Sequence, residues 1–296
     1  MYAKIRAVVR SHTPDILAPE FAGAENYLRR LKAWGHVIWY VRGAAPRDVW
    51  TLWRSILAAP ITSLAQLRKW REPYLMADAE VLLRGLGRFT VRAYSDDLGH
   101  VLAFSRERVL FNTLRDSVGP GDVVLDAGAN IGVITMVLAR CVGPTGRVIA
   151  VEMMPDTAAR LRRHIAMNGL ENVEVIEKAL SSESNRSVMA TVPRGFFGQA
   201  SIVRNGGPSD GASVSVQTTT IDALTVDIPS IALMKMDLEG AEPQALLGAE
   251  RSLEKIRSIV FESWSGGENL NGTLSEKGFL ISTIDGRNLL ARRSKI

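Results

Sequence analysis

The second half of the chain alternates short apolar runs with longer amphipathic segments, and this alternation predicts the fold. Several of the runs end in an acidic residue, which is typical of buried parallel strands that each lead through a turn into a helix. Strands are predicted at 122–126, 146–152, 173–179, 231–237 and 258–263, and helices at 131–141, 155–168 and 241–256. The sequence therefore predicts an α/β fold with a mostly parallel sheet and helices on both faces.

Two further stretches predict hairpins. Residues 278–293 contain two β-rich runs around Asp285-Gly286, a strong turn signal, and would add antiparallel strands at one edge of the sheet. Residues 88–94 and 100–105 are also short and β-rich, with a polar stretch between them. We therefore expect them to form a hairpin that leads into the sheet.

The first part of the chain has a different composition. Residues 1–75 contain 12 Lys and Arg against 5 Asp and Glu, and apolar residues there recur at helical spacing. Five of the six tryptophans also lie there: Trp34, Trp39, Trp50, Trp53 and Trp70. We therefore predict a basic, Trp-rich helical subdomain at 1–85 and a second domain at 86–296.

Three uses of the N-terminal subdomain stay open at this point. Its helices would lie on an anionic membrane surface, line a substrate cleft, or pack their tryptophans against the main domain with the arginines in water. Packing is favoured, because amphipathic helices of globular proteins usually bury their apolar face.

Overall composition indicates a globular protein, with 46% apolar and 23% charged residues. Cys141 is the only cysteine, which argues against a disulfide framework and a Cys-rich zinc site. No apolar run is long enough for a membrane span, and the N-terminus lacks the apolar core of a signal peptide. We expect a soluble, cytoplasmic protein, with peripheral membrane contact through 1–85 and homo-oligomerisation left open.

The loop after the first predicted strand of the second domain is a candidate binding site. It runs from Gly128 to Gly132, with Asn130 where a dinucleotide fingerprint requires its middle glycine. Glu152 ends the next strand, in the position from which a carboxylate can accept hydrogen bonds from a ribose diol. With Asp126 beside it, the loop favours a nucleoside that carries positive charge over one that carries a pyrophosphate. S-adenosylmethionine meets these requirements.

Several motifs together resemble one protein family. The stretches VVLDAGANIGVITMVLAR, VIAVEMMPDTAARLRRHIAMNGLENVEVIEKALS, TTTIDAL, LMKMDLEGAEPQALLGA, IVFE and EKGFLIS are similar to the FkbM family of S-adenosylmethionine-dependent methyltransferases. The resemblance covers roughly residues 95–285, about two thirds of the chain. It implies a Rossmann-like, seven-stranded methyltransferase sheet, and O-methylation of a sugar, a glycan or a natural product.

The resemblance also implies which residues hold the cofactor. Those expected around its methionine portion are Asp126, Gly128, Asn130 and Gly132. Glu152 would hold the ribose hydroxyls, Met153 would lie beside the adenine, and Ala179 would belong to a turn that contacts the adenine.

Acidic residues at the ends of the later strands are the candidates for catalysis. A hydroxyl must lose its proton as it attacks a methyl group, so a positioned base helps. We expect Asp237 to contact the acceptor or the cofactor amine, with Glu239 the next candidate and Lys235 ranked below them. Glu239 would otherwise only place charge at the start of a helix, beside Glu242. His100, on the predicted hairpin, is not favoured.

The acceptor site is expected to include Phe197 and Gln199, next to Phe196 in an irregular region, with Glu262 at the rim of the sheet. The alternative for that region is a hydrophobic flap packed on the sheet. Together with Asp237 and Glu239, Glu262 offers oxygen ligands suited to magnesium, but the spacing does not favour a metal site.

The sequence therefore predicts an O-methyltransferase that uses S-adenosylmethionine, releases S-adenosylhomocysteine, and acts on a small-molecule or glycan acceptor. One alternative is a catalytically idle scaffold protein on a membrane; a less favoured one is a dinucleotide oxidoreductase. Nucleic acid is not expected as a partner, because the chain beyond residue 75 carries 24 basic and 26 acidic residues.

Overall fold

The computed structural model describes residues 19–64, 72–192, 200–202, 212–262 and 270–293, with side chains from residue 25 onward. None of the helices in these ranges combines the length and the hydropathy needed to cross a membrane.

The described part of the chain begins with two long helices and a small antiparallel sheet. The helices are α1 (Pro19–Tyr40) and α2 (Pro46–Leu64), and the strands are β1 (Val41–Gly43), β2 (Ala79–Leu83) and β3 (Gly87–Val91), in the spatial order β1-β2-β3. The helices agree with the spacing of apolar residues in this region. The β2–β3 hairpin lies across the predicted domain division at residue 85, which stays a prediction.

The predicted hairpin of residues 88–94 and 100–105 is wrong. Strand β3 pairs instead with β2, and the second run lies in helix α3 (Asp97–Arg106), which is followed by α4 (Arg108–Asp116). Leu98, Val101 and Leu102 recur at helical spacing and are fully buried. Burial of this helical face outweighs the β-propensity of the run.

The rest of the chain forms the predicted α/β domain. In chain order its elements are β4 (Val123–Ala127), α5 (Val133–Val142), β5 (Arg147–Val151), α6 (Pro155–Met167), β6 (Val173–Ile176), β7 (Ala179–Leu180), β8 (Ser187–Val192), β9 (Ala212–Thr219), α7 (Ile221–Leu224), β10 (Ile231–Met236), α8 (Glu242–Leu247), a 3₁₀ turn (Ser252–Lys255), β11 (Ile256–Glu262), α9 (Leu270–Glu276), β12 (Phe279–Thr283) and β13 (Asn288–Arg293).

Seven of these strands form the central sheet, in the order β12-β13-β11-β10-β4-β5-β6. Strands β11, β10, β4, β5 and β6 pair in parallel, while β12 and β13 are antiparallel at one edge. This confirms both the predicted parallel sheet and the predicted C-terminal hairpin. Strands β7, β9 and β8 form a separate small sheet.

The order of the strands locates a crevice. From β4 the chain proceeds outward to β5 and β6 on one side, and later to β10 and β11 on the other. The switch point therefore lies between β4 and β10, whose carboxyl ends are adjacent. In open α/β sheets ligands bind at such a point.

The N-terminal helices share a hydrophobic core with the central sheet. Trp34 of α1 and Leu52 of α2 belong to the same buried cluster as Val124 of β4 and Leu233 of β10. The other tryptophans with described side chains do not follow the expectation of packing against the main domain: Trp39, Trp50 and Trp53 are exposed.

A buried ion pair holds α3 against its neighbours. The Asp97 carboxylate, 1% exposed, accepts hydrogen bonds from both terminal nitrogens of Arg160 on α6, at 3.0 and 2.7 Å. It also accepts a bond from the backbone nitrogen of Arg92, at 2.8 Å. Burial alone would raise the pKa of Asp97, but the hydrogen bonds and charges of Arg160 and Arg92 lower it below its usual value.

We expect Asp97→Asn to lower the free energy of unfolding by about 3 kcal/mol, because it leaves the buried Arg160 guanidinium without its counter-charge. Urea unfolding at neutral pH measures the change. Since the native pKa is depressed, the stabilisation is present above the unfolded pKa near 4 and is lost as the pH falls through the native pKa.

The matched control is Asp116→Asn, at an exposed carboxylate at the end of α4. This variant should change the free energy of unfolding by no more than about 0.5 kcal/mol. Equal effects of the two substitutions would contradict a structural role for the buried pair.

Candidate active site

The loop between β4 and α5 is held in a conformation that requires glycine. Gly128 and Gly132 have φ of +82° and +91°, and Asn130 between them has φ of +50°. A Cβ atom at Gly128 would collide with the backbone oxygen of Asp237, which follows β10. The loop therefore approaches the end of β10 more closely than any residue with a side chain permits.

Glu152 fixes the other side of this loop. Its Oε2 accepts a hydrogen bond from the backbone nitrogen of Asn130, and its Oε1 accepts one from Met154, both at 2.9 Å. Burial raises the pKa of Glu152 to about 7, although both hydrogen bonds favour the carboxylate. The carboxyl group is thus positioned by the backbone at the end of β5.

Two adjoining cavities lie over the switch point. The smaller one, of about 100 Å³, contains Glu152, Met153 and Ala179 in its lining. The larger one, of about 640 Å³, extends from the loop toward α3, Glu262 and the β12–β13 turn. Five residues line both cavities: His100, Gly128, Asn130, Asp237 and Glu239.

Lys235 and Asp237 form an ion pair at this junction, in which the lysine is buried and the carboxylate side chain is 42% exposed. Lys235, 4% exposed, donates a hydrogen bond from Nζ to Oδ2 of Asp237, at 2.8 Å. Although burial disfavours both charges, the two groups raise the pKa of Lys235 and lower the pKa of Asp237. Asp237 therefore remains a carboxylate and is a weak base.

Asp126, which was expected around the methionine portion of the cofactor, is not among the residues that line either cavity. It is completely buried, and its Oδ2 accepts a hydrogen bond from Oγ1 of Thr135 on α5, at 2.5 Å. Burial raises the pKa of its carboxyl group. Its side chain ties the end of β4 to α5 and so supports the loop from below.

Glu242 shapes the turn that carries Glu239. It is buried, and its carboxylate accepts hydrogen bonds from the backbone nitrogens of Leu238 and Gly240, at 2.7 and 3.0 Å. Glu239 has φ of +51°, a conformation that side chains other than Asn and Asp rarely adopt. The strained turn presents Glu239 to both cavities.

The comparison with known sequences agrees with this geometry. The sequence model of the FkbM methyltransferase domain matches residues 126–281, more than half of the chain. The chain belongs to the FkbM methyltransferase family.

Individual relatives of this FkbM-family chain are distant. Hexuronic acid methyltransferase AglP of Haloferax volcanii is 25% identical over 182 residues, which are 60% of this chain and 71% of that protein. The 31-O-demethyl-FK506 methyltransferase FkbM of Streptomyces tacrolimicus is 28% identical over 185 residues, 53% of this chain and 69% of that protein.

Other similarities are shorter or weaker. The chain spans only 14–26% of the length of three further methyltransferases, which it matches over short segments. One solved structure in the comparison is an S-adenosylmethionine-dependent methyltransferase from Aquifex aeolicus. Its alignment covers 61% of this chain and 86% of that chain, at 15% identity and a TM-score of 0.37.

His100, which sequence analysis named but did not favour, lies at this FkbM-family site. It lies on α3, outside the matched region, and its Nε2 is 3.1 Å from Oδ2 of Asp96, one helical turn earlier. Burial opposes its protonation, but the hydrogen bond and charge of Asp96 raise the pKa of His100 above its usual value. The spacing of Asp96 and His100 by four residues was the available signal, and it was masked by the wrong hairpin prediction.

The remaining predicted residues are placed as follows. Glu262 lines the large cavity, where burial raises the pKa of its carboxyl group. Gly132 lines the same cavity, whereas Met153 and Ala179 line only the small one. Phe197 and Gln199, with Phe196, lie outside the described residues. In the described ranges, no three acidic, histidine or cysteine side chains converge as metal ligands.

We expect the affinity of this FkbM-family chain for S-adenosylhomocysteine to fall by up to about tenfold between pH 8 and pH 6. A pKa near 7 means that Glu152 gains a proton over this range, so that it becomes a neutral group with less capacity to accept hydrogen bonds from a ribose diol. Calorimetric titration at several pH values measures the change.

Glu152→Gln is the control, because its amide does not titrate. This variant should bind S-adenosylhomocysteine weakly, and the component of the pH dependence that comes from Glu152 should be absent. A wild-type affinity that stays constant between pH 6 and pH 8 would contradict the assignment.

Proposed function

We propose that the chain is an S-adenosylmethionine-dependent O-methyltransferase whose acceptor is a hydroxyl group of a sugar, a glycan or a natural product. The observation that carries this proposal is the pair of cavities that meet at His100, Gly128, Asn130, Asp237 and Glu239. A methyl group passing from a cofactor in one cavity to an acceptor in the other must cross this junction.

The residues that line the small cavity suit the adenosine end of the cofactor. Glu152 offers a carboxylate to the ribose diol, and Met153 and Ala179 offer apolar contacts to a base. Gly128, Asn130 and Gly132 would surround the methionine portion, because their backbone conformation brings the loop close to the end of β10. Bound there, S-adenosylmethionine supplies a methyl group made electrophilic by its sulfonium.

The charge of the junction supports a cationic cofactor. The carboxylates of Asp237 and Glu239 line both cavities, and those of Glu107, Glu262 and Asp285 line the large one. The basic side chains that line the same cavities offset only part of this negative charge: Arg106, Lys178, Lys235 and Arg287. Asp237 would hold the cofactor amine or orient the acceptor, a role that suits a carboxylate with a depressed pKa.

The large cavity fits the acceptor. Its volume of about 640 Å³ lies within the range of small-molecule sites, roughly 300–1,000 Å³. Polar side chains such as Glu262, Arg287 and Asn288 line it and could hydrogen-bond to a polyhydroxylated molecule. The names of AglP and FkbM, which describe a hexuronic acid and a natural product as their substrates, support this class of acceptor.

His100 is the proposed general base. The cofactor would supply the methyl group to the acceptor oxygen, and the hydroxyl proton would pass to Nδ1 of His100, because Nε2 is bonded to Asp96. Asp96 stabilises the imidazolium through its hydrogen bond to Nε2. Asp237 is less suited to this step, because its ion pair with Lys235 lowers its proton affinity.

We expect S-adenosylhomocysteine to bind with a micromolar dissociation constant, about −8 kcal/mol, and NAD not to bind. Calorimetric titration of the full chain measures both ligands. Transfer of labelled methyl from S-adenosylmethionine to a panel of sugars and macrocyclic alcohols, with and without EDTA, then tests the reaction and its dependence on a metal.

The alternatives give different results. Failure of the folded protein to bind S-adenosylhomocysteine would overturn the proposal and favour a catalytically idle scaffold. Binding of NAD in its place would favour a dinucleotide oxidoreductase.

We expect His100→Gln to reduce kcat by about 10²- to 10⁴-fold while the affinity for S-adenosylhomocysteine changes little. The wild-type rate should rise with pH through the raised pKa of His100, and this limb should be absent in the variant. Asp96→Asn should move the limb to lower pH, since it removes the hydrogen bond that raises the pKa of His100. If the rate of both variants rises with pH as the wild-type rate does, His100 is excluded as the base.

A further inference from the structure

Helix α2 packs against the protein largely with small side chains, together with Leu52 and Ile56, and exposes most of its large ones. Thr51, Ser55, Ala59 and Ser63 recur every four residues and are buried. The inward face is also polar: the hydroxyl of Ser55 accepts a hydrogen bond from the backbone nitrogen of Met76, at 3.0 Å. A helix of a globular protein usually buries most of its large apolar residues, whereas α2 buries Leu52 and leaves most of the others exposed.

The outward face of α2 is a stripe of large apolar side chains. Trp50, Trp53, Leu57, Ile61 and Leu64 recur at intervals of three and four residues, and they are between 50% and 75% exposed. Single exposed apolar residues are common on protein surfaces, but a continuous row of five marks an interaction site.

The stripe continues onto α1. Ile38 of α1 lines the same groove as Val49, Trp53 and Ile56 of α2, a cavity of about 330 Å³. Trp39, next to Ile38, is 74% exposed. We call this surface, formed by Ile38, Val49, Trp50, Trp53, Leu57, Ile61 and Leu64, the apolar face.

Arginines border the apolar face. Arg47 and Arg54 of α2 are exposed and lie at one side of its stripe, as helical geometry requires of residues 47, 50, 54 and 57. Arg42 lines both the groove and a neighbouring cavity of about 540 Å³, which also contains Arg84 and Arg140. The face is thus continuous with a basic concave surface.

We propose that the apolar face docks on a membrane surface that contains anionic lipid, with the adjoining arginines contacting lipid phosphates. Tryptophan and leucine side chains suit the boundary between headgroups and acyl chains, and arginines beside them suit a negative surface potential. This docking is independent of the proposed methyl transfer.

The same charges disfavour a second copy of the chain as the occupant. In a symmetric dimer each patch meets its own copy, so that Arg42, Arg47 and Arg54 of one subunit would approach those of the other. Like charges brought together in this way oppose association. An anionic surface relieves that repulsion.

Flotation of the full chain with lipid vesicles tests the proposal. We expect binding to phosphatidylcholine vesicles that contain one third phosphatidylglycerol, weaker binding to phosphatidylcholine alone, and loss of binding as salt is raised from about 0.1 M to about 0.5 M. Blue-shifted tryptophan fluorescence should accompany binding. Failure to bind anionic vesicles, or equal binding to neutral ones, would overturn the proposal.

Variants separate the two parts of the surface. Trp50→Ser combined with Trp53→Ser should weaken vesicle binding by tenfold or more, whereas Leu280→Ser, at an equally exposed leucine on β12, should have no effect. Arg42→Gln and Arg84→Gln should each weaken it about fivefold, unlike the exposed control Arg186→Gln.

Size-exclusion chromatography with light scattering tests whether a second copy of the chain, and not a membrane, binds the apolar face. A wild-type dimer that the two tryptophan substitutions convert to a monomer, together with no vesicle binding, would assign the face to contact between copies. Binding of S-adenosylhomocysteine should be the same in all five variants, which shows that each is folded and keeps this test apart from that of the proposed function.

Discussion

The buried carboxylate of Asp97 is the constraint on which the geometry of the site depends. It joins the start of α3 to the end of β3 through Arg92 and to α6 through Arg160. Helix α3 carries His100 and is preceded directly by Asp96, and it has no strand pairing to fix its position over the central sheet. Because a buried charge is tolerated only with its partners in place, the ion pair selects one arrangement of α3. The position of α3 in turn sets the position of His100 at the junction of the two cavities.

The parts of the site that sequence analysis located are those whose position follows from local pattern. An apolar strand that ends in an acid places Glu152 and Asp237 at one edge of a parallel sheet, whatever the rest of the chain does. The strand order then brings the loop at Gly128 against Asp237. The alternation of strands and helices thus predicts a parallel sheet with these residues at one edge, while the strand order that defines the switch point came from the structure. The family resemblance supported the identity of the cofactor.

His100 could not be placed in this way. The run at 100–105 is rich in residues that favour strands, but contacts with segments distant in sequence decide between strand and helix. Strand β3 pairs with β2, and Leu98 and Leu102 pack into the hydrophobic core. The tryptophans show the same limit. Helical spacing predicts an apolar stripe on α2, but which stripe faces the protein depends on how closely α2 must approach, and small residues such as Ala59 allow the closest approach.

The N-terminal helices connect the apolar face with the site. Helix α1 packs against α3: Trp34 and Val37 share a core cluster with Leu98, and Nδ1 of His36 lies 3.3 Å from the hydroxyl of Ser105. A close-packed core of this kind moves as a unit. A protein docked through the apolar face would therefore hold α3, and the large cavity that α3 lines, at a fixed distance from the lipid surface. Such an arrangement favours acceptors that are themselves held at that surface, since a freely diffusing acceptor gains nothing from it.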